Sequence, residues 1–219
     1  MMSTTSTEDC IHFLDEIIES RRSIRSFKND IPSKDAIKAI IRAGLFAPYA
    51  GAAVDQRDFR CFVVIQKGSP TMAKAGDMMQ RRVKAMSELL SLKMQGDPVM
   101  QSKAQKFAKR LEVVSREGVP GVGTAPYFIV VAERKGFPPV EQQSLAHCLQ
   151  NMWLKATALD LGFHLVSATA DMAKEKEFCD LLGLPFGEFE INGCAVGYPL
   201  KKLPPAHRQD VEEVIRWLD

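Results

Sequence analysis

The sequence predicts an α+β fold on three observations. Short β-branched and aromatic runs are separated by helical patterns of unequal length, so no regular βαβ period emerges. The run Tyr127 to Ala132 (YFIVVA) is continuously apolar, as a strand covered on both faces must be. There is no internal repeat. With 219 residues, 46% of them hydrophobic and 26% charged, the chain can bury a full core, which argues against disorder and suits one domain or a domain with an insertion.

From Asp9 to Ser20 the residues Ile11, Leu14, Ile17 and Ile18 recur at helical spacing, predicting an amphipathic first helix. Pro32 and Ser33 open a second helix with Ile37, Ile40, Ile41 and Leu45 on one face, and Pro48 prevents its continuation. The loop Tyr49 to Asp58 leads to a strand from Phe59 to Gln66. Between Pro70 and Gly118, Lys, Arg, Met, Ala and Gln predominate, and Asp97-Pro98 divides the stretch into two helices. The turn segment GVPGVGTA, Gly118 to Ala125, then delivers the strand at Tyr127. A helix from Glu141 to Leu161 is apolar on most sides and therefore buried. Strands at Phe163 to Ala168 and Ile191 to Tyr198 flank a helix from about Ala173 to Leu182, and a terminal helix runs from Asp210 to Leu218.

Several function classes are disfavoured. The net charge of +2, from 29 basic and 27 acidic residues, gives no global field for nucleic acid or an anionic membrane. No apolar run approaches the roughly 18 to 20 residues of a membrane helix, and the polar N-terminus lacks a signal-peptide core, so a cytoplasmic location is expected. Cys10, Cys61, Cys148, Cys179 and Cys194 include no C-x-x-C pair, which disfavours a structural metal, and Cys61, Cys148 and Cys194 are expected as small buried hydrophobes. The histidines His12, His147, His164 and His207 form no triad in sequence and are expected in core or surface roles. Glu141, Glu175 and Glu177 are not separable by spacing from solvated helix faces. The Gly118–Gly123 segment contains a proline and precedes a strand, so it is neither a P-loop nor a dinucleotide fingerprint.

The segment Ser20-Arg21-Arg22-Ser23-Ile24-Arg25-Ser26-Phe27 stands out, with three guanidinium groups and three hydroxyls just after a helix. A guanidinium fork with a serine hydroxyl suits phosphate oxygens. The competing reading is that cations at a helix C-terminus complement its dipole and face solvent.

The stretch Ile17 to Phe27 closely resembles the opening signature of the FMN-dependent nitroreductase family. Three further stretches keep the family order: Ala43 to Pro48, Leu149 to Ala168, and Gly197-Tyr198-Pro199 followed by Arg208. The resemblance implies one nitroreductase-like FMN-binding domain over residues 1–219, with a central, mostly antiparallel sheet flanked by helices and an intertwined homodimer. Residues 70–118 would be a helical insertion. The resemblance further implies that Arg21, Arg22 and Ser23 hold the FMN phosphate and ribityl chain, with Arg208 closing on the phosphate. Arg25 would lie near flavin N1 and O2, where a fixed cation stabilises reduced flavin. Pro48, Tyr49, Ala50 and Gly51 would come from the partner subunit, and backbone near Ser167 and Ala168 would approach N5 and O4.

Two departures stand beside this resemblance. Where the family carries a serine after the proline, and an asparagine before glutamine-proline-tryptophan, this chain has Tyr49, Gly51, Val54, Gln56 and Arg57. Tyr49 either stacks near the flavin or substrate or packs its own loop. The 70–118 insertion, with Met78, Met79, Met86 and Met94, either forms a substrate-adaptable lid or packs on the core. The expected activity is ping-pong hydride transfer from NADH or NADPH, through FMN N5, to a small acceptor such as a nitroaromatic or quinone, with no catalytic side chain. The alternatives are dehalogenation, enone reduction or flavin fragmentation on the same fold and FMN, or a flavin-binding protein without turnover.

Overall fold

A computed structural model of the chain describes residues 6–49, 59–204 and 206–218. Ser6 caps the first helix, α1 (Thr7–Ser20), through a reciprocal box in which Asp9 N–H donates to the Ser6 hydroxyl and Ser6 N–H donates to the Asp9 carboxylate. Ser33 accepts from Ala36 N–H to start α2 (Lys34–Leu45). A 26-residue helix, α3 (Pro70–Gln95), and its neighbour α4 (Pro98–Glu117) form the expected helical pair. Asp97 divides them, its carboxylate accepting from Val99 and Met100 N–H at 2.9 Å.

The strands β1 (Arg60–Gln66), β2 (Tyr127–Arg134), β3 (Gly162–Leu165) and β4 (Phe189–Gly197) make one sheet in the order β1-β2-β4-β3, and all three strand pairs are antiparallel. Ser23 adds an isolated parallel bridge to Phe163 at the β3 edge. Side chains of β2 alternate between two cores, as a two-period strand requires. Phe128, Val130 and Ala132 face a core shared with α3, Leu111 of α4 and α6 (Lys176–Leu182). Tyr127, Ile129 and Val131 face the other core, shared with α2 and α5 (Glu141–Ala158). The sheet is thus covered on both faces, and β2 is buried from Tyr127 through Glu133, as its unbroken apolar run predicts.

Several expectations need adjustment. The α5 helix ends at Ala158, before Leu161. The strand expected to reach Ala168 stops at Leu165, and a 3-10 helix (Ser167–Lys174) precedes α6. Only a 3-10 turn, Val211–Glu213, forms where a terminal helix is expected. Its apolar residues Val211, Val214, Trp217 and Leu218 are exposed, so among the described residues no core supplies the packing that a short helix needs. None of the residues of α1 is buried, and its apolar positions Ile11, Leu14 and Ile18 face outward. Cys148 and Cys194 are buried as expected, whereas Cys61 on β1 is half-buried. Among the described residues, no helix is long and apolar enough to cross a membrane.

The α3–α4 pair packs on the core, one of the two alternatives its sequence left open. At its base Met72, Met78, Met79 and Val83 pack into the core, and Gln80 joins the helices by donating to the Ser115 and Arg116 carbonyls. Farther along, Met86 and Phe107 line a cleft. Arg82 fixes the pair to the 3-10 helix through Asp171 at 3.7 Å and Glu175 at 3.2 Å.

One charged pair is enclosed between layers. Arg60 Nε donates to Glu133 Oε1 at 2.5 Å across the β1–β2 pair, and Arg60 Nη1 donates to the carbonyls of Gly44 at 2.8 Å and Ala47 at 3.3 Å. Both side chains are almost fully buried. Removing one member strands a charge without solvent, at a cost of about 3–5 kcal/mol, whereas apolar replacement of both avoids that penalty. Glu133→Ala is therefore expected to lower unfolding stability in urea by about 3–5 kcal/mol, with Arg60→Met plus Glu133→Leu recovering most of it. An equal loss in the single and double variants would mean that side-chain volume, not charge, matters here.

Candidate functional site

The arginine-rich segment lies along the β3–β4 edge because main-chain bonds hold it there. Ile24 N–H donates to the Phe163 carbonyl at 3.0 Å, Lys28 N–H to that of Tyr198 at 2.9 Å, and Leu200 N–H to that of Ser26 at 3.0 Å. This approach requires small residues on the sheet. A Cβ at Gly162 would sit 2.7 Å from Ile24 Cγ2, and one at Gly197 would sit 3.1 Å from Phe27 Cδ1. Trp153 of α5 fixes the segment from below, its indole N–H donating to the Arg22 carbonyl at 3.2 Å and its ring stacked on Phe163.

Side chains leave this segment in two directions. The Arg21 guanidinium lies over the Trp153 ring at 4.4 Å. Its pKa is drawn down by burial and then by the neighbouring charges of Arg208 and Arg22, which identifies a cluster of three cations. Arg22 is braced by carbonyls, with Nε donating to Pro204 at 3.0 Å and Nη1 to Arg21 at 2.7 Å. Ser23 and Arg25 instead line a cleft of about 570 Å³ beside the cluster, together with Trp153, His164, Ser167 and Ala168. Among the described residues, no ion pair engages Arg21, Arg22, Arg25 or Arg208. Cations gathered without ion-pair partners suit an anion.

Of the sequence-predicted residues, Ser23, Arg25, Ser167 and Ala168 meet at the cleft, and Arg21, Arg22 and Arg208 gather at the adjoining cluster. Pro48 and Tyr49 do not line the cleft of their own chain. Tyr49 meets Phe59 edge-to-face at 5.2 Å, and its hydroxyl is 3.5 Å from Glu141 Oε1. Burial, followed by the Glu141 charge, pushes its phenol pKa up. Ala50 and Gly51, with Val54, Gln56 and Arg57, lie outside the described residues. Glu141, which spacing could not separate from a solvated face, is buried and accepts from Gly136 N–H at 2.6 Å.

Sequence reasoning assigned no site role to three ionisable residues of the cleft, His164, Arg110 and Asp171. His164 follows Phe163 on β3 and is buried against the cleft. Arg110 projects into it from α4, between Phe107 and Val114. A helical face of Phe107, Arg110, Leu111 and Val114 was present in the sequence at i, i+3, i+4 and i+7. What that face looks onto depended on the fold.

The nitroreductase family profile matches residues 18–198. A BluB-like flavoprotein from Clostridium difficile 630 is similar at 23% identity and a TM-score of 0.68, covering 94% of this chain and 99% of that one. A nitroreductase with bound FMN from Bacteroides fragilis NCTC 9343 is similar at 18% identity and a TM-score of 0.67, covering 94% and 98%. An iodotyrosine deiodinase bound to FMN and 3-iodo-L-tyrosine is similar at 18% identity and a TM-score of 0.66, covering 94% and 99%. Identities at this level establish a shared fold. No curated protein sequence matches the chain.

Burial, followed by the charges of Arg25 and Arg110, lowers the His164 pKa from an ordinary 6.5 to about 4. The folded protein keeps this imidazole neutral where an unfolded chain would protonate it. Its contribution is therefore present above pH 6.5 and is lost as the pH falls towards 4. Between about pH 7.5 and pH 4.5 the predicted loss is roughly 2–3 kcal/mol, and His164→Gln should remove that portion of the slope in urea unfolding. An unchanged slope in the variant would show that His164 titrates equally in both states.

Proposed function

The chain belongs to the nitroreductase family, and on that premise we propose that it is an FMN-dependent oxidoreductase, taking electrons from NADH or NADPH and passing them to a small acceptor such as a nitroaromatic or quinone. The observation that carries this reading is the set of cations, free of ion pairs among the described residues, that begins at Arg21, Arg22 and Arg208 and continues into the cleft at Arg25.

The donor set fits FMN. A dianionic phosphate calls for several charge-assisted donors at one end, and Arg21 and Arg208, with the hydroxyl of Ser23 beside them, would supply them. Arg22, braced by main-chain carbonyls, would lend charge and fix the segment. A flat ring system calls for an apolar wall with a few polar groups, which the cleft supplies through Trp153, Val166, Ser167 and Ala168. When bound, FMN supplies hydride chemistry between the nicotinamide donor and the acceptor. Arg25 would stabilise negative charge on the reduced ring, and the cleft walls would orient donor and acceptor in turn and exclude water.

A homodimer belongs to the same proposal. The outward apolar residues Ile11, Leu14 and Ile18 of α1, with Phe46 at 75% exposure beyond α2, form surface that a second copy would cover. Pro48 and Tyr49, absent from the cleft of their own chain, would serve the cleft of the partner.

Two outcomes test this reading. Purified protein should be yellow, and its flavin bands should bleach on anaerobic addition of NADH or NADPH. Arg25→Ala should keep its flavin yet show reduction slowed about tenfold or more in stopped flow, and unchanged rates would remove the role given to Arg25. Yellow protein that neither donor bleaches would shift the chemistry to dehalogenation, enone reduction or flavin fragmentation, or to flavin binding without turnover. Light scattering should give twice the chain mass, and Leu14→Asp should yield monomer with reduced flavin content. A monomer that is fully yellow would overturn the shared site.

A further inference from the structure

Across the cleft from Arg25 stands a wall contributed by the insertion, made of Val83, Met86, Phe107, Leu111 and Val114. One charge interrupts it, the guanidinium of Arg110, set between Phe107 and Val114 on the same face of α4. Among the described residues, the only carboxylate lining the cleft is Asp171, which is engaged by Arg82 at 3.7 Å and by Lys174 at 3.4 Å. Among the described residues, no ion pair engages Arg110. Arg25 and Arg110 line the cleft together with buried His164, whose pKa is lowered by burial and then by the charges of both arginines. A planar apolar molecule could pack on Phe107 and Met86, and a single carboxylate on it would meet one guanidinium in the bidentate geometry that arginine favours. A pyrophosphate carries more charge and more oxygens than one fork on an apolar face satisfies.

We propose that Arg110 selects the electron acceptor, recognising an aromatic acceptor through a carboxylate substituent while Phe107 and Met86 pack against its ring. This rests on the oxidoreductase reading, which places the acceptor in this cleft. An arginine on the insertion is well suited to such selection. It would add affinity for acids without altering the charge that Arg25 holds on the opposite wall.

The test uses flavin-loaded protein and ligands that cannot be reduced, so binding is read without turnover. Benzoate, benzyl alcohol and ADP are titrated by calorimetry into the natural protein, Arg110→Ala and Arg110→Lys, with flavin content measured on each sample. The natural protein should prefer benzoate to benzyl alcohol. Arg110→Ala should reduce that preference about tenfold, and Arg110→Lys should restore part of it. Three results overturn the proposal: no preference in the natural protein, a preference that survives Arg110→Ala, or a loss of ADP binding in Arg110→Ala equal to the loss for benzoate, which would assign Arg110 to the electron donor. Protein that never holds flavin sinks the oxidoreductase reading and this proposal with it, whereas yellow protein without acid selectivity sinks this proposal alone.

Discussion

The site depends on how closely residues 23–28 approach the β3–β4 edge. That approach is a steric condition before it is a chemical one. Gly162 and Gly197 leave room that a methyl group would fill, with contacts of 2.7 Å to Ile24 and 3.1 Å to Phe27. Once the backbone docks, its bonds to Phe163 and Tyr198 fix the register, and register decides which side chains face the cleft. Ser23 and Arg25, two residues apart, fall on it, while Arg21 turns onto the Trp153 ring. Burial, and then the charges of Arg208 and Arg22, lower the Arg21 pKa, so part of the folding energy is spent holding that guanidinium beside like charges. Such a cluster gains from any bound anion in proportion to its affinity.

The opposite wall is held by a different device. The α3–α4 pair is joined to the core by apolar residues at its base and to the 3-10 helix by Arg82. The 3-10 helix begins at Ser167, one of the cleft residues, so the two walls share a mechanical connection. The turn at residues 118–123 completes this side. Gly121 has φ +88°, and a Cβ there would meet Ala195 Cβ at 2.5 Å. What looks in sequence like a loose glycine-rich connector is therefore a fitted one.

Much of this was legible in the sequence because it rests on local rules. The caps at Ser33 and Asp97, the buried helix from Glu141 and the doubly covered strand at Tyr127 follow from spacing and composition. The arginine segment stood out by residue type, and its resemblance to a family motif placed Ser167, Ala168 and Arg208 beside it. What escaped depends on partners far apart in the chain. Arg60 and Glu133 are separated by 73 positions, and neither has a local sign of burial. His164 gave no signal because its neighbours Arg25 and Arg110 reach it only through the fold. The terminal segment misled because an apolar period over 210–218 states that a helix could form, not that a surface exists to receive it.

The same limit applies to α1, with a different consequence. Its period correctly gives a helix, stabilised by a capping box, yet none of its residues is buried among the described residues. The residue that ends it is Arg21, whose N–H donates to the Ile17 carbonyl. The orientation of α1 and that of the first cation in the cluster are thus linked by a single turn of backbone. On the proposed reading, a second copy covering Ile11, Leu14 and Ile18 would also restrain Arg21 over Trp153, so that association and anion binding would favour each other by the same free energy. Dimerisation would then be part of how the flavin phosphate is held, beyond any residues that the partner itself supplies.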